Sequence, residues 1–171
     1  MTNFEKAFEE TIGLEGNYSN NPKDPGGETK YGITKRDYPT LDIKNLTLAQ
    51  AQEIYKRDFW DRMALDLVED VDIACEIFDT GLNGGTVTAI RIAQRSCNAL
   101  GYSIKVDGFM GHVTAAALNH LSVKDKDTLY VVLNCLQCAR YVELTEKNED
   151  LKTFFYGWVR NRVQLNPRRF A

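Results

Sequence analysis

Apolar side chains recur every three to four residues over most of the 171-residue chain, which is the spacing of helices that bury one face. Two of these segments open with the Thr-x-x-Glu/Gln pattern of a capping box, at Thr2 and at Thr47. The pattern predicts helices from Thr2 to about Leu14, from about residue 47, from Asp70 or Asp72 to Gly84, from a Thr86 cap through Cys97, at about 113–121 and 126–147, and from Leu151 to about Gln164. The fold is therefore predicted to be mostly α-helical.

Residues 16–34 interrupt the helical pattern with a segment rich in glycine, asparagine, proline and aspartate. These residue types favour turns, and Pro25-Gly26-Gly27 predicts a reversal between two short extended pieces. A small β-hairpin is expected after the first helix. Because loops of this length without a function are uncommon, the segment is also a candidate functional site.

The composition is that of an ordinary globular protein and excludes several classes. Hydrophobic residues make up 43% of the chain and aromatic residues 11%, which is too much for a disordered protein. The net charge of −3 argues against a mainly electrostatic nucleic-acid binder. No apolar run approaches the roughly 18 residues of a membrane helix, so stable membrane insertion is not expected.

The four cysteines are Cys75, Cys97, Cys135 and Cys138. The N-terminus lacks the apolar run of a secretory signal peptide, so the chain is expected to be made in a reducing cytoplasm, without disulfides. The Cys135-x-x-Cys138 spacing would suit zinc or redox chemistry, but there is no second cysteine pair and the two histidines lack a ligand spacing. We therefore predict buried free thiols, no metal site and no cofactor.

Two carboxylates, one at the start of the polar segment and one within it, are spaced in a way that suits acid–base chemistry. Glu15 stands at the predicted end of the first helix, where the negative end of the helix dipole raises the pKa of a carboxyl. Packing against Leu14 and Tyr18 would desolvate Glu15 and raise its pKa further. Asp24 follows nine residues later. A protonated carboxyl that faces an ionised one is the working pair of glycoside hydrolysis.

Spacing alone leaves other interpretations open. Glu15 could be a solvated residue at a helix end, Asp24 a turn former, and Thr29 an ordinary strand residue. Tyr18 and Tyr31 could pack in the hydrophobic core or stack on sugars.

A family resemblance bears on this choice. The stretches LEGNY (Leu14 to Tyr18) and NPKDPGGETKYGIT (Asn21 to Thr34) resemble the EGGY and NDPxDPGGxTxxGIT motifs of glycoside hydrolase family 108, with Asn17 where glycine is common. Weaker motifs follow in the family's order: Phe78-Asp79-x-Gly81-x-Asn83-x-Gly85, Ala93-Gln94, Val106-Asp107-Gly108-x-x-Gly111-x-x-Thr114 and Phe155-x-Gly157-Trp158-x-x-x-Arg162. The resemblance extends over nearly the whole chain.

The resemblance implies a phage or prophage N-acetylmuramidase, which cuts the β-1,4 bond between N-acetylmuramic acid and N-acetylglucosamine in peptidoglycan. It implies an α+β lysozyme-like fold, a helical bundle with a small N-terminal β-hairpin flanking the catalytic cleft. Residues 1–85 form the catalytic half, and residues 86–171 form a helical half that resembles a peptidoglycan-binding region, packed with the first as one compact domain. Glu15 takes the general-acid role, and Asp24 and Thr29 resemble the further members of a Glu–Asp–Thr arrangement.

Substrate contacts are predicted at Tyr18, Asn20, Tyr31, Asp79 and Asn83. Asp79 could instead pair with a basic residue, and Asn83 could cap a helix.

Bacterial peptidoglycan is the expected partner of a monomeric endolysin that leaves the host cytoplasm through holin-type lesions. The alternative is a non-catalytic peptidoglycan-binding or secretion-associated module with the same fold. A wall amidase or peptidase would need a zinc set or a Cys/His nucleophile pair, and the sequence offers neither. The segment from Leu151 to Ala171 carries five basic residues and no acids, which suits a solvated tail or attraction to anionic wall polymers.

Overall fold

The computed structural model describes residues 1–14, 16–20 and 26–164. Within these ranges the chain forms six α-helices and one two-stranded antiparallel sheet: α1 (Asn3–Thr11), β1 (Thr29–Lys30), β2 (Ile33–Thr34), α2 (Leu48–Tyr55), α3 (Val71–Gly84), α4 (Thr86–Ala99), α5 (His112–Lys147) and α6 (Lys152–Arg162). A π-helical turn, Lys56–Trp60, continues α2. The predicted mostly helical fold with a small hairpin is confirmed.

Side-chain caps fix where three of these helices begin. The Thr2 hydroxyl accepts from the backbone N–H of Glu5, and the Glu5 carboxylate accepts from the N–H of Thr2 at 2.7 Å. Thr47 and Gln50 form the same reciprocal pair at the start of α2. Asp70 accepts two backbone N–H bonds at the start of α3. Each bond satisfies a donor that the first helical turn leaves open, so these starts could be predicted from local chemistry.

Two helix ends differ from prediction. The first helix ends at Thr11 rather than near Leu14, and Gly13 follows it with a left-handed φ of +80°. Thr86 is the first residue of α4 rather than its cap; Gly85 holds the cap position without a side-chain bond.

The two helices predicted over 113–121 and 126–147 form a single element, α5, that is broken at Asp125. Asp125 has φ −164° and ψ 78°, outside the helical region, and its carboxylate accepts from the N–H and the hydroxyl of Thr128 at 3.1 and 2.7 Å. Asp125 thus caps the second half of α5, and the predicted break lies where a capping residue interrupts the backbone pattern.

The core is built around α3, which packs against α1, α4 and α5. Phe4, Trp60 and Phe78 meet edge to face, with the Trp60 ring centroid 5.6 Å from each of the other two. Trp60 is fully buried, as expected of a core residue. Because α3 is enclosed by helices from both ends of the chain, its C-terminal end is held in a fixed place.

A buried glutamine fixes the loop between α4 and α5. The Gln94 side chain donates to the carboxylate of Asp107 at 2.9 Å and to the carbonyl of Phe109 at 3.1 Å, and accepts from the N–H of Gly108 at 2.9 Å. Gly108 has φ +80°, and a Cβ there would lie 2.7 Å from Val87. The motif Val106-Asp107-Gly108 therefore forms a turn that a core side chain holds in place.

The cysteine prediction is half right. Cys75 and Cys97 are buried, and burial raises the pKa of the Cys97 thiol to about 11. Cys135 is exposed and Cys138 only half-buried, so burial is wrong for this pair. Leu133 is one of the residues on the buried face of α5, and Cys135, two positions later, lies on the face of the helix that meets solvent.

Neither of two features that would redirect the function occurs in the part of the chain that the structure describes. No group of three or more His, Cys, Asp or Glu side chains is placed to hold a metal ion. No helix is both long and apolar enough to cross a membrane.

Candidate functional site

The hairpin turns at a different place from the one predicted. β1 and β2 pair through Thr29 with Thr34 and Lys30 with Ile33, and Tyr31-Gly32 connects them. Both loop residues have positive φ, +50° and +74°, which is the pattern of a tight type I′ hairpin turn. On its other side Thr29 exchanges two backbone hydrogen bonds with Ser19, at 2.9 and 2.8 Å.

The bridge between Ser19 and Thr29 is also antiparallel, so the chain reverses between these two residues as well. The predicted reversal at Pro25-Gly26-Gly27 falls in this interval, but Asn21 to Pro25 lie outside the described residues, so its exact place stays a prediction. The Tyr31-Gly32 turn was missed because tyrosine is an unusual residue at positive φ; Gly32 was the available signal.

Two close contacts hold the Tyr31-Gly32 turn against the rest of the protein. The hydroxyl of Tyr55 donates to the carbonyl of Tyr31 at 2.9 Å, and a Cβ on Gly32 would lie 2.7 Å from that hydroxyl oxygen. Gly16 lies against the Tyr31 ring: a Cβ there would be 2.6 Å from Cε2 and closer still to Cζ and Cε1. The residue that follows Glu15 in the chain is therefore packed directly on the hairpin turn.

Beside the hairpin lies a cleft of about 780 Å³, within the range of small-ligand sites. It is bounded by the end of α1, by β2 and the turn after it, by α2 with its π-helical continuation, and by the junction of α3 with α4. Thr11 and Ile12, at the end of α1, line the cleft three to four residues before Glu15 in the sequence. Arg162, at the end of α6, also lines it.

One wall of the cleft comes from the π-helical segment. Tyr55, Asp58, Phe59 and Arg62 line the cleft at spacings of three to four residues. The backbone N–H of Asp61 bonds to the carbonyl of Lys56, five residues back, at 2.8 Å. π-Helical turns are rare and frequent at functional sites.

The two described carboxylates in the cleft are held ionised. Asp58 accepts from the Arg57 guanidinium at 2.7 and 2.6 Å and from the Tyr38 hydroxyl at 2.8 Å, and the Arg57 bonds above all lower the pKa of Asp58. Bonds from Arg36 and then Thr34 lower the pKa of Asp37. Neither acid can serve as a proton donor near neutral pH.

The hydrogen bond from Tyr38 to Asp58 also affects the tyrosine. Burial and the bond to Asp58 raise the pKa of Tyr38 well above its ordinary value. The phenol therefore stays protonated and donates to Asp58.

The predicted catalytic residues Glu15 and Asp24 lie outside the described residues. Thr29 is described, and its hydroxyl makes one long contact, 3.4 Å, to the carbonyl of Gly27. The Tyr18 hydroxyl donates to the Glu28 carboxylate at 2.6 Å, which raises the pKa of Tyr18.

The predicted substrate contacts divide between the hairpin and the end of α3. Tyr18, Asn20 and Tyr31 belong to the hairpin region and are not among the described residues that line the cleft. Asn83 does line the cleft, and its side chain donates to the carbonyl of Asp79 at 2.8 Å, as a C-terminal helix cap does. Asp79 itself is almost fully buried and forms an ion pair with Arg162.

Sequence reasoning missed several cleft residues: Asp37, Tyr38, Asp58, Phe59 and Arg62. The spacing of Tyr55, Asp58 and Arg62 was a usable signal, because polar groups on the face that continues an apolar helix stripe point to a functional surface. Arg162 belongs to the closing family motif, but its place at the cleft depends on a contact with a residue 83 positions away.

Comparisons with known proteins agree with this architecture. Residues 8–85 match the family model described as Glycosyl hydrolase 108, and residues 88–163 match one described as Predicted Peptidoglycan domain. No curated protein matches. The solved structure of Brucella abortus SagA is similar over 92% of this chain and 87% of that one, with 25% sequence identity and a TM-score of 0.69. The predicted lysozyme-like fold is confirmed.

Proposed function

We propose that this chain, which belongs to the glycosyl hydrolase 108 family and carries a Predicted Peptidoglycan domain after it, is an N-acetylmuramidase. The family membership supports a glycoside hydrolase that acts on peptidoglycan. The bond that it cuts is the β-1,4 link from N-acetylmuramic acid to N-acetylglucosamine, and Glu15 is its general acid.

The observation that carries the proposal is the state of the two acids, Asp37 and Asp58, that line the cleft among the described residues. Glycoside hydrolysis needs one carboxyl that is protonated near neutral pH to give its proton to the leaving oxygen. Asp37 and Asp58 each form an ion pair with the arginine that precedes them in the chain, so both carboxylates are ionised and already accept hydrogen bonds from a guanidinium. Glu15 follows the helix end at Thr11 and Ile12 that lines the cleft, and it is the acid that the family motif supplies.

Thr29 has a separate part in the proposed reaction. Its backbone is held on both sides, by Ser19 and by Thr34, while among the described residues its hydroxyl makes only a long contact, to the carbonyl of Gly27. A hydroxyl can both donate and accept, so Thr29 can turn to orient a water molecule at the sugar. Asp24 stabilises the positive charge that develops on the sugar ring.

A specific test compares Glu15→Gln with Glu9→Gln on purified sacculi. Glu9 is an exposed glutamate on α1, so its variant makes the same chemical change away from the cleft. We expect Glu15→Gln to fold normally by circular dichroism and to lose at least about 100-fold in the rate of reducing-end release, because an amide cannot donate the proton. Glu9→Gln should keep the wild-type rate.

The chemical ends of the released fragments show which bond of the glycan is cut. Mass spectrometry of soluble wild-type fragments should find reducing ends on muramic acid. Reducing ends on glucosamine, free stem peptides, or an undiminished rate in Glu15→Gln would each overturn the proposal.

A second candidate, a module that binds peptidoglycan without cutting it, is favoured by the match of residues 88–163 to a peptidoglycan domain. That module would sediment with sacculi and release no sugar. The same digestion separates the two functions.

A further inference from the structure

The cleft contains two arginines that are 100 residues apart in the chain. Arg62 lies two residues after the end of the π-helical turn, and Arg162 is the last residue of α6. The cleft's two described aspartates, Asp37 and Asp58, have neighbouring arginines of their own, outside the cleft lining. Neither of these two aspartates therefore forms an ion pair with Arg62 or Arg162.

Arg62 is kept available by the way Asp58 is bound. An aspartate and an arginine four residues apart on a helix ordinarily pair with each other. Here Arg57 takes both oxygens of Asp58, at 2.7 and 2.6 Å, and Tyr38 donates to one of them. Arg62 consequently forms no hydrogen bond or ion pair with any residue in the described ranges.

The backbone that carries Arg62 is firmly held. Trp60, Met63 and Leu65 are all fully buried, and the indole N–H of Trp60 donates to the carboxylate of Asp66 at 2.7 Å. Because the backbone at Arg62 is already fixed, binding a ligand there orders only the exposed arginine side chain.

Arg162 is held by its ion pair instead. Its Nη1 bonds to the carboxylate of Asp79, a side chain that is 2% exposed, whereas Arg162 itself is 32% exposed. A guanidinium has five N–H donors in a planar fork. Asp79 therefore anchors the group while other donors face the cleft.

We propose that Arg62 and Arg162 bind a carboxylate of the muramyl unit, so that the enzyme selects anionic glycan over neutral glycan. Guanidinium groups recognise carboxylates through paired N–H bonds. The inference rests on the proposed function, because it takes the occupant of the cleft to be a peptidoglycan strand. Two sources can supply the carboxylate: the stem peptide, or the lactyl group of a muramic acid that has lost its peptide.

Three soluble probes distinguish these sources by calorimetric binding to the full-length protein. The first is a glycan fragment that bears stem peptides, the second is the same fragment stripped by an amidase, which leaves only lactyl carboxylates, and the third is the peptide-bearing fragment with its carboxylates converted to methyl amides. Wild-type protein should bind at least one of the two carboxylate probes, the peptide-bearing or the stripped one, at least about tenfold more tightly than the amidated probe, as expected for charge-assisted bonds. Tight binding of the peptide-bearing probe alone would assign the stem peptide. Tight binding of the stripped probe alone would assign the lactyl group, because the lactyl carboxyl of the other two probes is held in the amide bond to the peptide; both outcomes support a carboxylate site.

The variants identify the residues. Arg62→Gln should weaken binding of the carboxylate probe at least about threefold and leave binding of the amidated probe unchanged. Arg162→Lys should do the same more weakly, because lysine keeps a charge beside Asp79 but not the fork. Arg95→Gln, which removes an exposed arginine of α4 outside the cleft lining, is the matched control and should match wild type.

The inference and the proposed function fail separately. Binding of the amidated probe as tightly as both carboxylate probes, or equal losses in Arg62→Gln and Arg95→Gln, would overturn the carboxylate site even in an active muramidase. A wild-type protein that releases no reducing ends but shows the expected pattern of binding would overturn the muramidase and keep the site.

Discussion

Replacing Gly16 by alanine tests whether the hairpin turn positions the chain beside Glu15. The new methyl group would lie 2.6 Å from Cε2 of Tyr31, nearer than carbon atoms approach in folded proteins. Because φ of Gly16 is not in the left-handed region, alanine causes no backbone strain there, and the whole loss of unfolding free energy comes from the clash with the Tyr31 ring. Overpacking of this kind costs about 1–3 kcal/mol. We expect Gly16→Ala to lower the free energy of unfolding by about 2 kcal/mol.

Tyr31→Gly provides the matching background. Tyr31 has φ +50°, which costs a non-glycine residue about 1 kcal/mol or more, so glycine relieves backbone strain while it removes the ring. In that background the added methyl group at position 16 meets open space, and Gly16→Ala should cost less than about 0.5 kcal/mol. The coupling energy between the two positions should then be about 1–2 kcal/mol, within the range for residues in contact.

Urea unfolding of the wild type, both single variants and the double variant measures this coupling. Hydrolysis of sacculi by the same four proteins measures its effect on activity. We expect Gly16→Ala to lose at least about tenfold in rate, because small displacements beside a catalytic group are costly. A cost for Gly16→Ala that is the same with and without the Tyr31 ring would refute the reasoning.

Two further predictions concern the loop after α4 and the pH range of stability. Gln94→Leu should lower the free energy of unfolding, measured in urea, by about 2–4 kcal/mol, because it removes the hydrogen bonds to Asp107, Phe109 and Gly108 from a buried position. The control Arg95→Gln should change this free energy by less than about 0.5 kcal/mol. Equal effects of the two substitutions would contradict the role given to Gln94. Burial raises the folded-state pKa of Tyr55 to about 12 from 10.0, so its contribution is fully present below pH 10 and is lost as the pH rises from 10 towards 12. By about pH 11 the loss should be about 1 kcal/mol, and in Tyr55→Phe the fall in unfolding free energy between about pH 9 and 11 should be shallower; an unchanged slope would contradict it.

Local chemistry accounts for most of what the sequence could predict. The caps at Thr2, Thr47 and Asp70 depend on residues at most three positions away, and each lies where its pattern placed it. The break in α5 follows from Asp125 in the same way. The fold class also follows, because helical periodicity is a repeated local signal.

Features that depend on distant contacts could not be predicted in this way. Tyr31 is held at positive φ by a turn that Tyr55 pins from 24 residues away. Cys135 shares a helix with the buried Leu133, and only the packing of α5 decides which of its faces meets the core. Arg162 lies at the cleft, where it pairs with Asp79 from 83 residues away.

The pairing of Asp79 with Arg162 has a consequence for inheritance. Asp79 belongs to the region that matches the glycosyl hydrolase model, and Arg162 is the penultimate residue of the region that matches the peptidoglycan domain. Recombination at residues 86–87 would separate them, although the two family models suggest that point as a natural junction. A new second half would have to bring its own cation to the same place, or a carboxylate in the centre of the first half would lose this partner. Gene exchange between relatives would have to preserve this pair as well as the packing of α3 against α4 and α5, so the two halves are expected to descend together.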